Sequence, residues 1–313
     1  MRASALRSLP LAIGYWAGIA GARLRSNGYA RILSFHGTPR RIGRQLERQL
    51  RYLKRQFEVV SLQELVSALA PGGRVRERML ALTFDDGLRS NVSVAYPILE
   101  RLRLPATFFV CPGLVERNAW LWNMEARQRL RSLEPAKLGA LAHELGAPAE
   151  VEALVEWMKR LPLAARTQAE AQLRSATRGF RPSEAEREQC DLASWPELQS
   201  LVPDIVTLGS HTLTHPILSC STAGEIETEI AGSRAAIESR LQRTADLFAY
   251  PNGDQNAAVR ECVRRHYRAA VTTVQTWVPP ACDPCLLPRV DAPRGTVRLC
   301  WDMHLPAYLP CAF

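Results

Sequence analysis

Short apolar runs alternate with amphipathic stretches along much of the chain. The short runs have the length and the β-branched or aromatic content of buried strands, and they cover residues 30–35, 59–60, 79–84, 106–110, 205–208, 246–250 and 269–273. Apolar residues at helical spacing predict helices over residues 46–57, 61–70, 91–103, 222–241 and 257–266. Strands that alternate with helices in this way predict parallel βα units.

The alternation stops between residues 116 and 194. Leucines there recur at helical spacing among many charged residues, for example at Leu130, Leu133, Leu138 and Leu141. We find no convincing strand in this stretch. It is therefore predicted to be a helical insert (residues 116–194) that caps one face of the α/β domain.

The first 28 residues form a separate segment before the domain predicted over residues 29–313. A weakly apolar run over residues 9–22 lies between arginines, and it is too short and too glycine-rich for a membrane span. Three interpretations stay open: a plain helix packed on the domain, a weak signal peptide for export, and a helix lying on a membrane surface. The compartment, cytoplasmic, membrane-associated or exported, is not decided by these patterns.

Composition adds little to this picture. An apolar fraction of 47% over 313 residues is sufficient for a sizeable core. The net charge of +9 raises the question of an anionic partner, but the arginines are scattered rather than gathered in one stripe. We therefore predict no nucleic-acid partner, and peripheral membrane association through residues 9–22 stays an alternative. Nothing in the sequence indicates an oligomeric state.

Candidate chemistry lies where predicted strands end. Asp85 and Asp86 follow one strand, and Gly87 after them permits a tight turn. His211 follows another strand, and His215 lies one helical turn further on, which brings both imidazoles to one face. Two histidines with one carboxylate are a common ligand set for a divalent ion such as Zn²⁺. Either feature alone is common without a metal, but both together at strand ends indicate a metal site.

The same residues carry a resemblance to a known family. Residues 83–87 (Thr-Phe-Asp-Asp-Gly) and 210–215 (Ser-His-Thr-Leu-Thr-His) resemble the first two motifs of the polysaccharide deacetylase family, also called the NodB-homology or carbohydrate esterase family 4 domain. Residues 248–253 (Phe-Ala-Tyr-Pro-Asn-Gly) are similar to the third motif. The wider resemblance runs from about residue 31 to residue 291, interrupted by the helical insert.

This resemblance implies a distorted (β/α) barrel of about seven strands that hydrolyses N-acetyl groups on amino sugars. Carried over by position, it makes Asp86, His211 and His215 the metal ligands and Asp85 the general base. The metal would be zinc, with cobalt, nickel and manganese as alternatives. A metal ion acidifies water and polarises a carbonyl, and a free carboxylate beside it can take a proton.

The third motif is implied to lie at the substrate, with Tyr250 and Asn252 as candidates. The backbone N–H of Asn252 is the candidate donor to the oxyanion.

Two departures from the family pattern leave roles open. The third motif usually has an arginine that orients the base, and Ala249 stands there instead. Arg289, in Leu-Pro-Arg-Val-Asp, is a candidate replacement, and a buried structural salt bridge is the alternative. The histidine that usually acts as general acid has two candidates, His304 and His36, and neither is in the expected context.

The sequence therefore predicts a metal-dependent deacetylase that acts on a carbohydrate with N-acetylated amino sugars. One alternative is an amide C–N hydrolase of the same fold with a small-molecule substrate. Another is a catalytically silent carbohydrate-binding or regulatory domain.

Overall fold

A computed structural model describes residues 29–304, with side chains up to residue 303. The predicted N-terminal segment of residues 1–28 lies outside this part. Among the described residues, no helix is both long enough and apolar enough to cross a membrane.

A parallel sheet forms the centre of the molecule. Its strands are β1 (Arg31–Phe35), β2 (Glu58–Val60), β3 (Met79–Phe84), β4 (Ala106–Val110), β5 (Val206–Ser210), β6 (Leu247–Ala249), β7 (Ala269–Val271) and β8 (Val290–Asp291). Seven of them run in the order β7-β6-β5-β4-β3-β1-β8, and β2 pairs with β3 beside this path. Neighbouring residues of β1 and β3 alternate between two apolar clusters, as a strand buried on both faces requires.

Helices connect these strands. They are α1 (Gly43–Gln56), α2 (Leu62–Leu69), α3 (Tyr96–Leu102), α4 (Pro112–Arg117), α5 (Trp122–Arg131), α6 (Pro135–Leu145), α7 (Val151–Lys159), α8 (Leu163–Ala176), α9 (Glu184–Cys190), α10 (Trp195–Gln199), α11 (Ala223–Leu241), α12 (Ala257–His266) and α13 (Thr296–His304). In α1, Leu46, Leu50 and Leu53 are buried at helical spacing, which is the pattern that predicted this helix.

One short segment joins the two edges of the sheet. Leu287 forms a parallel bridge with Val271 at the end of β7, and three residues later β8 begins and pairs with Leu33 and Ser34 of β1. Between these contacts, the backbone N–H of Arg289 donates to the carbonyl of Val274 at 3.0 Å. The sheet is therefore curled almost into a closed barrel, which confirms the predicted distorted (β/α) barrel.

Between β4 and β5 the chain folds as a series of helices with a core of its own. Its members include buried residues from four helices: Trp122, Ala126, Leu130, Leu141, Ala142, Leu154, Val155, Met158, Ala169 and Leu173. The apolar spacing seen in the sequence is therefore used mainly to pack these helices against each other.

The packing of the insert makes a testable prediction. Val155 is 0% exposed in this core, whereas Val202 is 42% exposed. We expect V155A to lower the free energy of unfolding by about 2 kcal/mol, since it removes buried methyl groups. The matched surface change V202A is expected to cost less than about 0.5 kcal/mol. Urea denaturation measures both, and equal losses would contradict the packing described.

Candidate active site

Three buried side chains meet at the carboxyl edge of the sheet. Asp86 follows β3, and His211 and His215 follow β5. Oδ1 of Asp86 lies 3.6 Å from Nε2 of His211 and 3.6 Å from Nε2 of His215. This separation is too long for a hydrogen bond, but it suits atoms that each lie about 2.0–2.2 Å from one shared ion. The cluster is therefore a candidate site for one metal ion.

The loops that carry these three side chains have unusual backbone angles. Asp86, Thr212 and His215 all have positive φ, at 75°, 66° and 60°. For a β-branched residue such as Thr212 this conformation is costly, so neighbouring contacts must hold it. Its hydroxyl accepts from the backbone N–H of His215 at 2.9 Å, and Glu229 of α11 accepts from both the backbone N–H and the hydroxyl of Thr214.

Gly87 completes the turn after the two aspartates. Its φ is 66°, and a Cβ placed there would lie 3.2 Å from three atoms of Val110. Glycine therefore provides both the turn and the close approach of β4 at this point.

The two histidines are oriented differently. Nδ1 of His211 lies 2.7 Å from the carbonyl oxygen of Ala249, which assigns its proton to Nδ1 and leaves Nε2 as an electron-pair donor. Nδ1 of His215 is buried and has no hydrogen-bond partner among the described residues. Burial, with help from His211 and Arg166, lowers the pKa of His215 well below its ordinary value. Its imidazole is therefore neutral, as metal binding requires.

Asp85 and Asp86 are adjacent but have opposite surroundings. Burial alone would raise the pKa of Asp85, but Arg289 outweighs this effect and holds that pKa well below its usual range. Burial raises the pKa of Asp86. His36 and His211 act in the opposite direction, but they compensate for burial only partly. The ionised form of Asp85 is thus stabilised. Asp86 would need a cation beside it for its ionised form to be equally stable.

Arg289 forms a two-pronged ion pair with Asp85. Its Nη1 and Nη2 each lie 2.7 Å from a carboxylate oxygen, and its Nε donates to the carbonyl of Thr272 at 2.9 Å. Both side chains are almost fully buried, at 1% and 3% exposure. The two interpretations of Arg289 thus describe a single contact, since the buried salt bridge is made with Asp85 itself. Its guanidinium is thus enclosed between Asp85 and the Thr272 carbonyl.

The third motif contributes backbone rather than the Tyr250 side chain. Tyr250 is fully buried, and its hydroxyl donates to the carbonyl of Cys285 at 3.0 Å. This hydrogen bond ties the Tyr250 side chain to the segment that precedes β8. Asn252 is exposed in the turn after β6 and has a φ of 61°.

The two histidines considered as proton donors lie in different places. His36 is exposed at the end of β1, and it is near enough to Asp85 and Asp86 to lower the pKa of both. The side chain of His304 lies outside the described residues. The carbonyl of its neighbour Met303 accepts from Arg31 at the start of β1, which is the opposite end of the sheet from the cluster.

Sequence reasoning missed two contacts to the loop that carries His211 and His215. Trp122 of the insert donates its indole N–H to the carbonyl of His215 at 2.9 Å, and the carbonyl of Ala249 orients His211. The carbonyl gives no signal in a sequence because every residue has one. The tryptophan lies in a helix whose docking the local pattern does not show.

A second group of Glu227, Cys262 and His266 also gathers atoms suited to a metal. Here Nε2 of His266 lies 2.6 Å from the Glu227 carboxylate, which Arg265 also contacts at 2.6 Å. These are ordinary ion-pair distances, and a neighbouring arginine disfavours a cation. We therefore interpret this group as a contact between α11 and α12.

Comparison with known proteins identifies the family. The model of the family described as polysaccharide deacetylase matches residues 72–271, more than half of the chain. The chain belongs to this family, as its motifs predicted, and it is a hydrolase acting on carbon–nitrogen bonds. No curated protein matches the sequence closely.

Solved structures share the fold at low sequence identity. The Streptococcus pyogenes deacetylase PplD, in complex with acetate, has 17% identity and a TM-score of 0.60, covering 89% of this chain and 99% of its own. IcaB from Ammonifex degensii has 18% identity and a TM-score of 0.59, with coverages of 89% and 98%. The BpsB deacetylase domain from Bordetella bronchiseptica has 14% identity and a TM-score of 0.55, with coverages of 85% and 96%.

The Asp85–Arg289 pair predicts a pH-dependent loss of stability. In R289Q, burial is opposed only by the weaker effects of His211 and His36, so we expect the pKa of Asp85 to rise. We expect R289Q to destabilise the protein by about 3–5 kcal/mol at pH 7, where a buried carboxylate is left unpaired. The loss should shrink as the pH falls through the raised pKa, because Asp85 then takes up a proton in the folded state.

Urea denaturation with a chelator present, at pH 7 and pH 5, measures this effect. The double variant D85N/R289Q is the control, since it removes the carboxylate as well, and its loss should be smaller and independent of pH. A loss in R289Q that is the same at both pH values would contradict the assignment of the ion pair.

Proposed function

We propose that this chain is a metal-dependent deacetylase that removes N-acetyl groups from amino sugars in a polysaccharide or glycoconjugate. The observation that supports this proposal most strongly is the difference in surroundings between two adjacent carboxylates. Asp85 is held ionised by Arg289, while Asp86 faces the Nε2 atoms of two histidines. Paired titratable groups with opposite surroundings are typical of sites where one group acts and the other binds.

Asp86, His211 and His215 would hold the ion. Their spacing and the neutral state of His215 suit a divalent cation, and the mixed nitrogen and oxygen donor set favours zinc, with cobalt, nickel or manganese as alternatives. When bound, such a cation supplies Lewis acidity, which polarises the amide carbonyl and acidifies water.

Asp85 is the proposed general base. Its two oxygens are fixed by Arg289, which orients the carboxylate and keeps it free of a proton at neutral pH. A carboxylate with a lowered pKa is a weak base, so its contribution depends on position and on prior acidification of the water. Arg289 is thus proposed as the residue that orients the base, in the role that Ala249 cannot fill.

His36 is the proposed proton donor to the leaving amine. Its exposure and its electrostatic influence on both aspartates support this role. The backbone N–H of Asn252 is the proposed donor to the oxyanion. Its position supports this role, because Asn252 lies in the turn after β6, and Ala249 at the end of β6 orients His211.

Acetate release from N-acetylglucosamine oligomers tests this proposal. We expect release by the wild type with added Zn²⁺ or Co²⁺, and a loss of about 10²–10⁴-fold in kcat for D85N, which still binds the ion. D86N is the matched control: the same change one residue later should abolish ion binding as well.

Two other outcomes would contradict the proposal. Hydrolysis of a small cyclic amide, with none of the sugars, would favour the alternative amide hydrolase. Equal rates for D85N and the wild type would remove Asp85 as the base.

A further inference from the structure

The helical insert contacts the loop that carries both histidine ligands. Trp122, the first residue of α5, donates its indole N–H to the carbonyl of His215 at 2.9 Å. Its side chain is nearly completely buried, at 4% exposure. That carbonyl belongs to His215, a proposed ligand whose φ is 60°. The contact therefore stabilises a residue whose left-handed backbone conformation costs free energy.

Trp122 is held from the other side by the insert's own core. Its ring packs with the apolar cluster of the insert, and the guanidinium of Arg166 lies 4.7 Å from its centroid. Arg166 is itself buried and pairs with Glu170 at 3.0 Å. The indole therefore has little freedom to follow a moving loop, and its N–H gives the His215 carbonyl a fixed partner.

The end of the insert contacts a second loop, the one that carries Asp86. Leu192 forms an antiparallel bridge with Leu88, just after Asp86 and Gly87. The backbone N–H of Arg89 donates to the carbonyl of Asp191 at 2.8 Å, and that of Ala193 donates to the carbonyl of Gly87 at 2.9 Å. The insert thus contacts the Asp86 loop at one place and the histidine loop at another.

His215 has particular need of such support. The ring of His211 is oriented through its Nδ1 by the Ala249 carbonyl, whereas Nδ1 of His215 has no partner in the described part of the chain. Metal-ligating histidines are usually oriented by a hydrogen bond at the other ring nitrogen. Without one, the position of the His215 imidazole depends on its backbone, which Thr212 and Trp122 hold.

We propose that the helical insert braces the metal centre, and that Trp122 is the positioning residue through which it fixes His215. The inference rests on the proposed metal site and adds a role for the insert. It assigns to the insert a role in metal affinity.

The variant W122F tests this role, because it keeps an aromatic ring and removes only the N–H donor. W195F is a matched control. The Trp195 indole also donates a hydrogen bond, at 2.8 Å, and also has an arginine over its ring, but its acceptor is the exposed carboxylate of Glu116. The readouts are the Kd for Zn²⁺ by chelator competition, the Co²⁺ absorption spectrum, and the thermal midpoint of the metal-free protein.

We expect W122F to weaken Zn²⁺ binding by about tenfold or more, as loss of a supporting contact to a ligand commonly does, and to change the Co²⁺ spectrum. W195F should leave both unchanged. An unchanged Kd and Co²⁺ spectrum in W122F, with or without a lower thermal midpoint, would overturn the brace but leave the metal centre intact. Failure of the wild type to bind Zn²⁺ or Co²⁺ would overturn the metal centre itself, and the brace with it.

A second measurement needs no variant, in case W122F does not fold. In wild-type protein with ¹⁵N-labelled indoles, the Trp122 N–H resonance should shift when one equivalent of Zn²⁺ binds, while that of Trp195 should not. A Trp122 resonance that does not respond to bound Zn²⁺ would contradict the proposal.

Discussion

The buried ion pair between Asp85 and Arg289 is the contact on which the site depends. Placing two charges in the interior is costly, and only a pair with well-aligned hydrogen bonds can offset that cost. Here two contacts of 2.7 Å join the groups, and Thr272 and Thr83 accept further guanidinium N–H bonds. Since Arg289 lies in the segment that joins the two edges of the sheet, barrel closure and the charge of Asp85 are coupled.

This coupling explains how two neighbouring carboxylates come to differ. The extended backbone at the end of β3 directs Asp85 toward the closing segment, where its counter-ion lies. One residue later the chain enters a left-handed turn, and Asp86 faces the histidine loop instead. The reversal favours Gly87, because its φ is 66° and a Cβ there would lie only 3.2 Å from Val110. A single sharp turn therefore produces one carboxylate whose pKa is held low and one that faces two imidazoles.

The parts of this arrangement that follow local patterns were predictable from the sequence. The strands, the helices between them and the residues at the strand ends are encoded in apolar periodicity and in short motifs, and both the fold and the family were recognised from them. Contacts between distant residues were not predictable in the same way. The pairing of Arg289 with Asp85, 204 positions away, was only a candidate drawn from the family resemblance, and the contact of Trp122 with His215, 93 positions away, was missed. Strand β8 has only two residues, which is too few for a periodic pattern, and nothing in the local sequence shows that the Tyr250 hydroxyl donates to the Cys285 carbonyl.

The central claim is that one metal ion lies between Asp86, His211 and His215. Zinc-edge X-ray absorption of the zinc-loaded protein tests it most directly, because the described residues contain a second ligand group that includes the thiol of Cys262. The account predicts one bound zinc per chain with a first shell of nitrogen and oxygen atoms at about 2.0–2.2 Å, including two imidazoles. A sulfur atom at about 2.3 Å in that shell would contradict it.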